Sequence, residues 1–146
     1  MGRNDMGGND SIIGTWKLVS ALGATLGGET RKLLGEDPSG FLTYTADGRM
    51  MVIIATSGRQ PLSVADPVAA PAAERAEAFA TFDAYAGRYT FDGDRVTHHV
   101  EISLFQNWAG TDQIRLAKLQ GSQLTLNSQP ISVGGEQLVA ELVWER

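Results

Sequence analysis

The sequence predicts an all-β fold, an antiparallel up-and-down barrel of eight or nine strands with one α-helix. Glycine is frequent, with 17 among the 146 residues, and most glycines separate short runs in which apolar and polar residues alternate. Asp-Gly pairs at 47–48 and 92–93 each stand between two such runs, which is a strong β-hairpin signal. A meander of this many strands gains most by closing into a barrel, because closure leaves no unpaired sheet edge.

Four strands are predicted before the helix, at residues 12–24, 30–34, 41–45 and 49–55. The first has a period-2 alternation around Trp16, and glycine-containing turns separate the others. The fourth contains Met-Met-Val-Ile-Ile at 50–54, which is apolar on both faces. A strand of this kind is expected to be covered on both sides, either by a helix or by the second subunit of a homodimer.

A single α-helix is predicted over residues 71–86, where an alanine-rich segment interrupts the strand pattern. Pro71 suits the first helical turn, and Gly87 follows directly after the predicted end. The preceding residues, 57–70, form a long loop that serves either as a lid or as a simple connection. Three apolar residues recur at helical spacing in one narrow stripe, namely Phe79, Phe82 and Ala86.

The rest of the chain completes one domain. With a length that fits a single domain, residues 11–146 are expected to form the barrel. Residues 1–10 are polar and glycine-rich and are expected to be a disordered leader. Short glycine-containing turns join the five strands predicted after the helix, at residues 88–91, 95–105, 111–119, 123–127 and 136–145.

Composition excludes several function classes. The chain has 12 Lys and Arg against 17 Asp and Glu, a net charge of −5, and no basic run, so neither nucleic acid nor a membrane is an expected partner. It lacks both the ~18 apolar residues of a membrane span and the apolar segment of a secretory signal, which predicts a cytoplasmic protein. Cysteine is absent and only two histidines are present, so no metal site and no cofactor are expected.

Several motifs, taken in order along the chain, resemble one known family. Gly14-Thr15-Trp16 resembles the Gly-x-Trp opening of lipocalins and other calycin barrels, and the most specific block is Val-Thr-His-His-Val-Glu-Ile-Ser-Leu at 96–104. Over residues 11–146 the chain resembles the bacterial and fungal lipocalin-like domain family. The resemblance implies an eight-stranded barrel with an inner cavity for a small apolar molecule, and it implies no particular reaction. Further matching segments lie at 40–50, 85–89, 107–111, 113–115 and 142–146.

The two histidines are the principal candidates for chemistry. They are adjacent on one predicted strand, so His98 and His99 point to opposite faces unless a bulge intervenes. If the apolar face points inward, His98 lines the cavity; if a partner covers that face, His99 lines it with Glu101 and Ser103. A histidine titrates near pH 6.5 and can serve as acid or base, and Glu101 is a further catalytic candidate. The alternative is a histidine that only hydrogen bonds a neighbouring strand.

The other candidate ligand contacts are one arginine and three aromatic residues. If Arg115 points inward, it needs a partner such as a bound anion or the ring of Trp16, and it either binds a ligand or closes one end of the barrel. Tyr44 and Tyr89 offer phenols that either hydrogen bond a ligand carbonyl or pack as strand aromatics. Trp108, in a turn at the barrel rim, either caps the core or walls the cavity entrance.

Two functions fit these residues, and a third interpretation is a purely structural or interaction role. We expect the barrel to bind a small hydrophobic or aromatic molecule in its central cavity. The alternative function is a cyclase or isomerase of secondary metabolism, in which a cavity histidine acts as acid or base and Arg115 or a tyrosine stabilises negative charge. The third interpretation is an interaction domain whose barrel is filled by its own side chains.

Overall fold

Ten β-strands and one α-helix make up the part of the chain that the structure describes. The computed structural model describes residues 11–146, and the leader predicted at residues 1–10 lies outside them. Among residues 11–146, no helix has the length and hydropathy that a membrane span requires. The elements are β1 (Gly14–Thr25), β2 (Thr30–Lys32), β3 (Ser39–Tyr44), β4 (Arg49–Ala55), α1 (Ala72–Ala80), β5 (Phe82–Phe91), β6 (Arg95–Ser103), β7 (Asp112–Gln120), β8 (Gln123–Ser128), β9 (Ile131–Val133) and β10 (Glu136–Glu145).

Eight of the strands close an antiparallel barrel. The sheet runs β1-β3-β4-β5-β6-β7-β8-β10, and β10 pairs again with β1. The short strands β2 and β9 extend the sheet beside one end of β1 and of β10. The predicted all-β antiparallel barrel with one helix is therefore confirmed. Strand β9 was not predicted, because three residues are too few to show an alternation.

The helix is shorter than the sequence predicts. It covers Ala72–Ala80, whereas the prediction over 71–86 also included Phe82 and Ala86, and that part of the prediction is wrong. Both residues belong to β5, whose residues 82–88 pair with β4. None of the residues of α1 is buried, so extending the helix gains no core contact, whereas the strand gains a ladder of backbone hydrogen bonds. Tertiary pairing therefore overrides the local helix pattern.

The interior of the barrel is filled at one end and hollow at the other. The filled end is the one at which β3 turns into β4 and β5 turns into β6. There the indole N–H of Trp16 donates to the carbonyl of Ile12 at 2.9 Å. The interpretation as a barrel filled by its own side chains thus holds for one half of the interior. The side chains that fill this half are Ile12, Trp16, Tyr44, Met50, Tyr89, Val96 and Leu124.

No helix of the described chain covers the outer face of β4, the strand that is apolar on both faces. In β4, Met50 and Val52 point inward and are buried. Met51 is 54% exposed and Ile53 is 48% exposed, and Phe41 on β3, directly opposite Ile53, is 50% exposed. No described element covers this outer face, so the expected helix cover is wrong and the homodimer stays a prediction.

Candidate functional site

The hollow half of the barrel is a cavity of about 290 Å³. Its wall residues near one end are partly exposed, among them Leu34, Thr56 and Ile131, whereas those towards the filled half are buried. The cavity therefore opens at the end of the barrel that carries β2, β9 and the last residue of α1. Most of its wall is apolar and comes from Ala21, Leu42, Val52, Ile54, Leu126, Ala140, Leu142 and Trp144.

His98 lies on the inner face of the barrel, at the boundary between the hollow and the filled halves. Its side chain lines the cavity and the residue is 2% exposed, so the structure has the first of the two orientations considered for the histidine pair. The hydroxyl of Tyr44 lies 2.6 Å from Nε2, and the hydroxyl of Tyr85 lies 2.7 Å from Nδ1. Strand alternation on β3, β5 and β6 brings the three side chains together from distant parts of the sequence.

Burial keeps this histidine neutral. The loss of hydration lowers the pKa of His98 to about 3, and the electrostatic interactions with Arg115 and with His99 act in the same direction. A neutral imidazole donates from one ring nitrogen and accepts at the other. One of the two tyrosine hydroxyls therefore donates to His98, and the other accepts a hydrogen bond from it.

Tyr85 is a cavity residue that was not among the predicted candidates. It is 8% exposed and lines the cavity. Burial raises the pKa of Tyr85 to about 12, and the charge of Arg115 opposes this rise, so the phenol is un-ionised at neutral pH. The predicted helix over 71–86 concealed this residue, whereas its spacing of four from Tyr89 on one strand face would have revealed it.

Asp83 is the second cavity residue that sequence reasoning missed. It precedes Tyr85 by two residues, so both side chains face the cavity. Burial raises the pKa of Asp83, while a hydrogen bond from the backbone N–H of Ala84 and the charge of Arg115 act against the rise. The cavity wall therefore carries a carboxyl group and a guanidinium group together.

Arg115 and Trp108 line the same cavity, and their contact with a ligand stays a prediction. The Arg115 guanidinium lies 5.9 Å from the centre of the Trp108 ring, and Nη1 donates to the carbonyl of Ile114 at 3.1 Å. Trp108 ends a short 3₁₀ turn at 106–108 and packs edge to face on Tyr85, with ring centres 5.6 Å apart. Arg115 does not pair with Trp16: the guanidinium over that ring belongs to Arg146, at 4.3 Å.

The other two predicted acid–base candidates lie outside the barrel. His99 has Nδ1 2.9 Å from a carboxylate oxygen of Asp112 and Nε2 3.2 Å from the hydroxyl of Thr90. Glu101 accepts a hydrogen bond from Arg49 at 2.9 Å on the exposed surface. Neither residue lines the cavity, so His98 is the candidate acid or base that does. Among residues 11–146 no cluster of three or more His, Cys, Asp or Glu side chains has the geometry for a metal ion.

The two predicted tyrosines support the site from below and do not line it. Tyr44 is 1% exposed and its ring packs edge to face on that of Tyr89, with centres 4.7 Å apart. The hydroxyl of Tyr89 donates to the carbonyl of Thr45 at 2.8 Å. Tyr44 therefore reaches the cavity only through His98, and Tyr89 belongs to the packed half of the barrel.

One polar atom of the cavity wall lacks a partner. Trp144 is 1% exposed and lines the cavity, and its indole N–H has no hydrogen-bond acceptor among the described residues. A buried donor without an acceptor costs about 1–3 kcal/mol. The cavity therefore offers a hydrogen-bond donor that a bound molecule can satisfy.

A closed eight-stranded barrel with an internal apolar cavity defines the class of hollow β-barrels that hold small molecules. The comparison with protein families is more specific. The family model of the lipocalin-like domain matches residues 13–146, and the chain belongs to this family. It is also similar to the 4'-hydroxy-3'-methoxypropiophenone carrier protein ppsC of Aspergillus oryzae (strain ATCC 42149 / RIB 40), with 33% identity over 82 residues, covering 50% of this chain and 74% of that protein.

Proposed function

We propose that this protein binds a small aromatic molecule in the hollow half of its barrel and acts as a carrier for it. The observation that carries the proposal is the cavity itself: about 290 Å³ of space with a mainly apolar wall, open at one end. Ligand pockets typically measure ~300–1,000 Å³ and combine apolar walls with a few placed polar groups. A cavity at the lower limit of this range fits a ligand built on one aromatic ring.

The similarity to ppsC supports an aryl ketone as the class of ligand. By its name, that protein carries a propiophenone, in which a ketone is attached to a ring bearing hydroxyl and methoxy groups. In the present chain the rings of Trp108 and Trp144 offer flat apolar surfaces to such a ring, and Tyr85 and Arg115 offer hydrogen-bond donors to its oxygens.

The test is a titration of the protein with 4'-hydroxy-3'-methoxypropiophenone, in which isothermal titration calorimetry measures the dissociation constant. The matched pair of variants is Ala140→Phe and Ala84→Phe. Ala140 is buried in the cavity wall, so a phenyl group there fills the space that the ketone needs, and we expect affinity to fall at least about tenfold. Ala84 lies between two inward-facing residues of β5 and pairs with the exposed Ile53, so its substitution should leave affinity unchanged.

Native mass spectrometry of the protein purified from its own host is the second measurement. We expect a bound molecule of low mass in the wild type and its loss in Ala140→Phe. The proposal is wrong if the wild type neither binds the ketone nor retains any small molecule, or if Ala140→Phe binds as the wild type does.

The catalytic alternative gains no comparable support. His98 has both ring nitrogens hydrogen bonded and a pKa of about 3 that results mainly from burial, so it is a weak base, and at neutral pH it lacks the imidazolium form that would act as a general acid. His99 and Glu101 lie on the outer surface. The cytoplasmic location, the lack of a nucleic-acid partner and the homodimer stay predictions, and the homodimer is tested below.

A further inference from the structure

The hydrogen bonds of His98 can be arranged in two ways, which differ in the tautomer of the ring. In one, the Tyr44 hydroxyl donates to Nε2, and the proton on Nδ1 is donated to the Tyr85 oxygen. In the other, Tyr85 donates to Nδ1, and the proton on Nε2 is donated to the Tyr44 oxygen. The distances of 2.6 Å and 2.7 Å fit both arrangements.

The surroundings of the two tyrosines distinguish the arrangements. His98 is the only hydrogen-bond partner of the Tyr44 hydroxyl among residues 11–146, and Tyr44 is 1% exposed in the packed half of the barrel. If Tyr44 accepted from His98, its own proton would be buried without an acceptor, which is unfavourable. Tyr85 lines the cavity, where water or a bound molecule can take its proton. The arrangement in which Tyr44 donates is therefore the favoured one.

We propose that Tyr44 and His98 form a relay that fixes the Tyr85 hydroxyl as a donor into the cavity, and that this donor selects ligands with a neutral acceptor oxygen, such as a ketone. His98 and Tyr44 are positioning residues in this relay, and Tyr85 makes the contact. The inference rests on the proposed function, since it specifies which ligands the cavity holds.

The other polar groups of the cavity favour a neutral acceptor over a carboxylate. The indole N–H of Trp144 is a second donor without a partner. Arg115 adds positive charge, but Asp83 lies on the same wall and interacts with it, so the guanidinium charge is offset within the site. A carboxylate would have to lose its hydration and come close to Asp83, whereas an uncharged ketone oxygen has a smaller desolvation cost and needs only a hydrogen-bond donor.

The test compares two probes that differ in one group: the aryl ketone used above and its analogue with a methylene group in place of the carbonyl. Their dissociation constants are measured for the wild type and for Tyr85→Phe. One satisfied hydrogen bond of ordinary strength corresponds to a preference of about tenfold. We expect the wild type to bind the ketone about tenfold more tightly than the analogue, and Tyr85→Phe to bind the two with nearly equal affinity.

Two further variants separate the relay from a general loss of structure. Tyr44→Phe removes the donor to Nε2 without touching the cavity wall, so we expect the preference for the ketone to fall. Tyr89→Phe is the matched control, because Tyr89 packs on Tyr44 in the filled half and its hydroxyl donates to the carbonyl of Thr45. It should retain the full preference even if its stability decreases.

Nuclear magnetic resonance of ¹⁵N-histidine-labelled protein reads the tautomer directly, with or without a bound probe. Only two histidines are present, and His99→Gln assigns the signals. We expect the proton on Nδ1 of His98 in the wild type and in Tyr89→Phe, and a loss of this preference in Tyr44→Phe.

The possible outcomes separate this inference from the proposed function. If both probes bind the wild type equally, the carrier function stands and the inference is wrong. It is also wrong if the proton is found on Nε2, or if Tyr44→Phe keeps the full preference. If neither probe binds the wild type, the proposed function fails for this class of molecule, and the assigned ligand class fails with it.

Discussion

The burial of His98 makes a quantitative prediction about acid stability. In the folded protein the pKa of His98 is about 3, mainly because burial removes its hydration, and in the unfolded chain it takes the ordinary value of 6.5. The unfolded chain therefore binds a proton at this residue in a pH range where the folded protein does not. Stability from the neutral histidine is complete above pH 6.5 and is lost as the pH falls from 6.5 towards 3.

The size of the loss follows from the distance between the working pH and the unfolded-state pKa. Each pH unit below 6.5 favours unfolding by ~1.4 kcal/mol. At pH 5 the free energy of unfolding should therefore be lower by about 2 kcal/mol than at pH 8 through His98 alone. Hydrogen bonds lower the pKa of some carboxyl groups, such as Glu74 and Asp92, and these groups also make the protein less stable towards acid. The contribution of His98 must therefore be separated from theirs by comparison with a variant that lacks this histidine.

Urea denaturation of the wild type and of His98→Gln at pH 8 and pH 5 provides that comparison. All other titrating groups are common to the two proteins, so the decrease should be about 2 kcal/mol larger for the wild type. His99→Gln is the matched control, because it leaves His98 in place and should keep the larger decrease. Equal decreases in the wild type and His98→Gln would refute the buried neutral histidine.

Two further predictions concern the frame of the barrel. Gly87→Ala should lower the free energy of unfolding by about 1–3 kcal/mol in urea denaturation, because a Cβ at this site would lie 2.0 Å from the backbone oxygen of His99. Gly27→Ala is the control and should be nearly neutral, because the nearest atom to a Cβ there is 3.8 Å away. Equal effects of the two substitutions would contradict this account. Met51→Glu places a charge on the apolar outer face, so it should raise the dissociation constant of the expected homodimer at least about tenfold. Analytical ultracentrifugation measures this constant, and a monomeric wild type would refute the homodimer.

The sequence predicted the barrel well because the relevant signals are local. Period-2 alternation and the two Asp-Gly turns depend on neighbouring residues only, and strand β4 at Arg49–Ala55 and strand β10 at Glu136–Glu145 agree with the predicted limits. The end of the helix depended on a non-local contact. Residues from Phe82 onward have a helix-compatible composition, and they become a strand because β4 and β6 lie on either side to pair with them.

The candidate site was predicted less completely, and the same error accounts for much of the difference. Assigning Asp83 and Tyr85 to the helix removed them from the barrel wall, although both line the cavity. Of the predicted residues, the structure brings His98, Arg115 and Trp108 to the cavity. Alternation alone could not decide which histidine points inward, because that choice depends on which face of β6 the whole sheet encloses.

A bulge beside the site is one feature that only the paired strands reveal. In the pairing of β5 with β6, Ala86 lies opposite Ile102 and Gly87 lies opposite Val100, so Glu101 has no partner. The extra residue brings the β6 backbone so close to residue 87 that a side chain has no room there. The glycine that followed the end of the predicted helix is therefore a mid-strand residue, and its absent side chain allows the bulge at Glu101, two residues after His99.

The boundary between the packed and hollow halves determines what each polar group in the barrel can do. Tyr44 lies on the packed side, so its hydroxyl must be satisfied within the protein, and His98 is its hydrogen-bond partner there. Tyr85 lies on the hollow side, so its hydroxyl meets whatever occupies the cavity. A neutral imidazole accepts a hydrogen bond at one ring nitrogen and donates from the other. If His98 accepts from Tyr44 at Nε2, it therefore donates from Nδ1 to the Tyr85 oxygen, and the Tyr85 proton is left to point into the cavity. A residue that never touches the ligand thereby determines whether the cavity presents a donor or an acceptor, which is why Tyr44→Phe should alter ligand preference while the cavity wall stays intact.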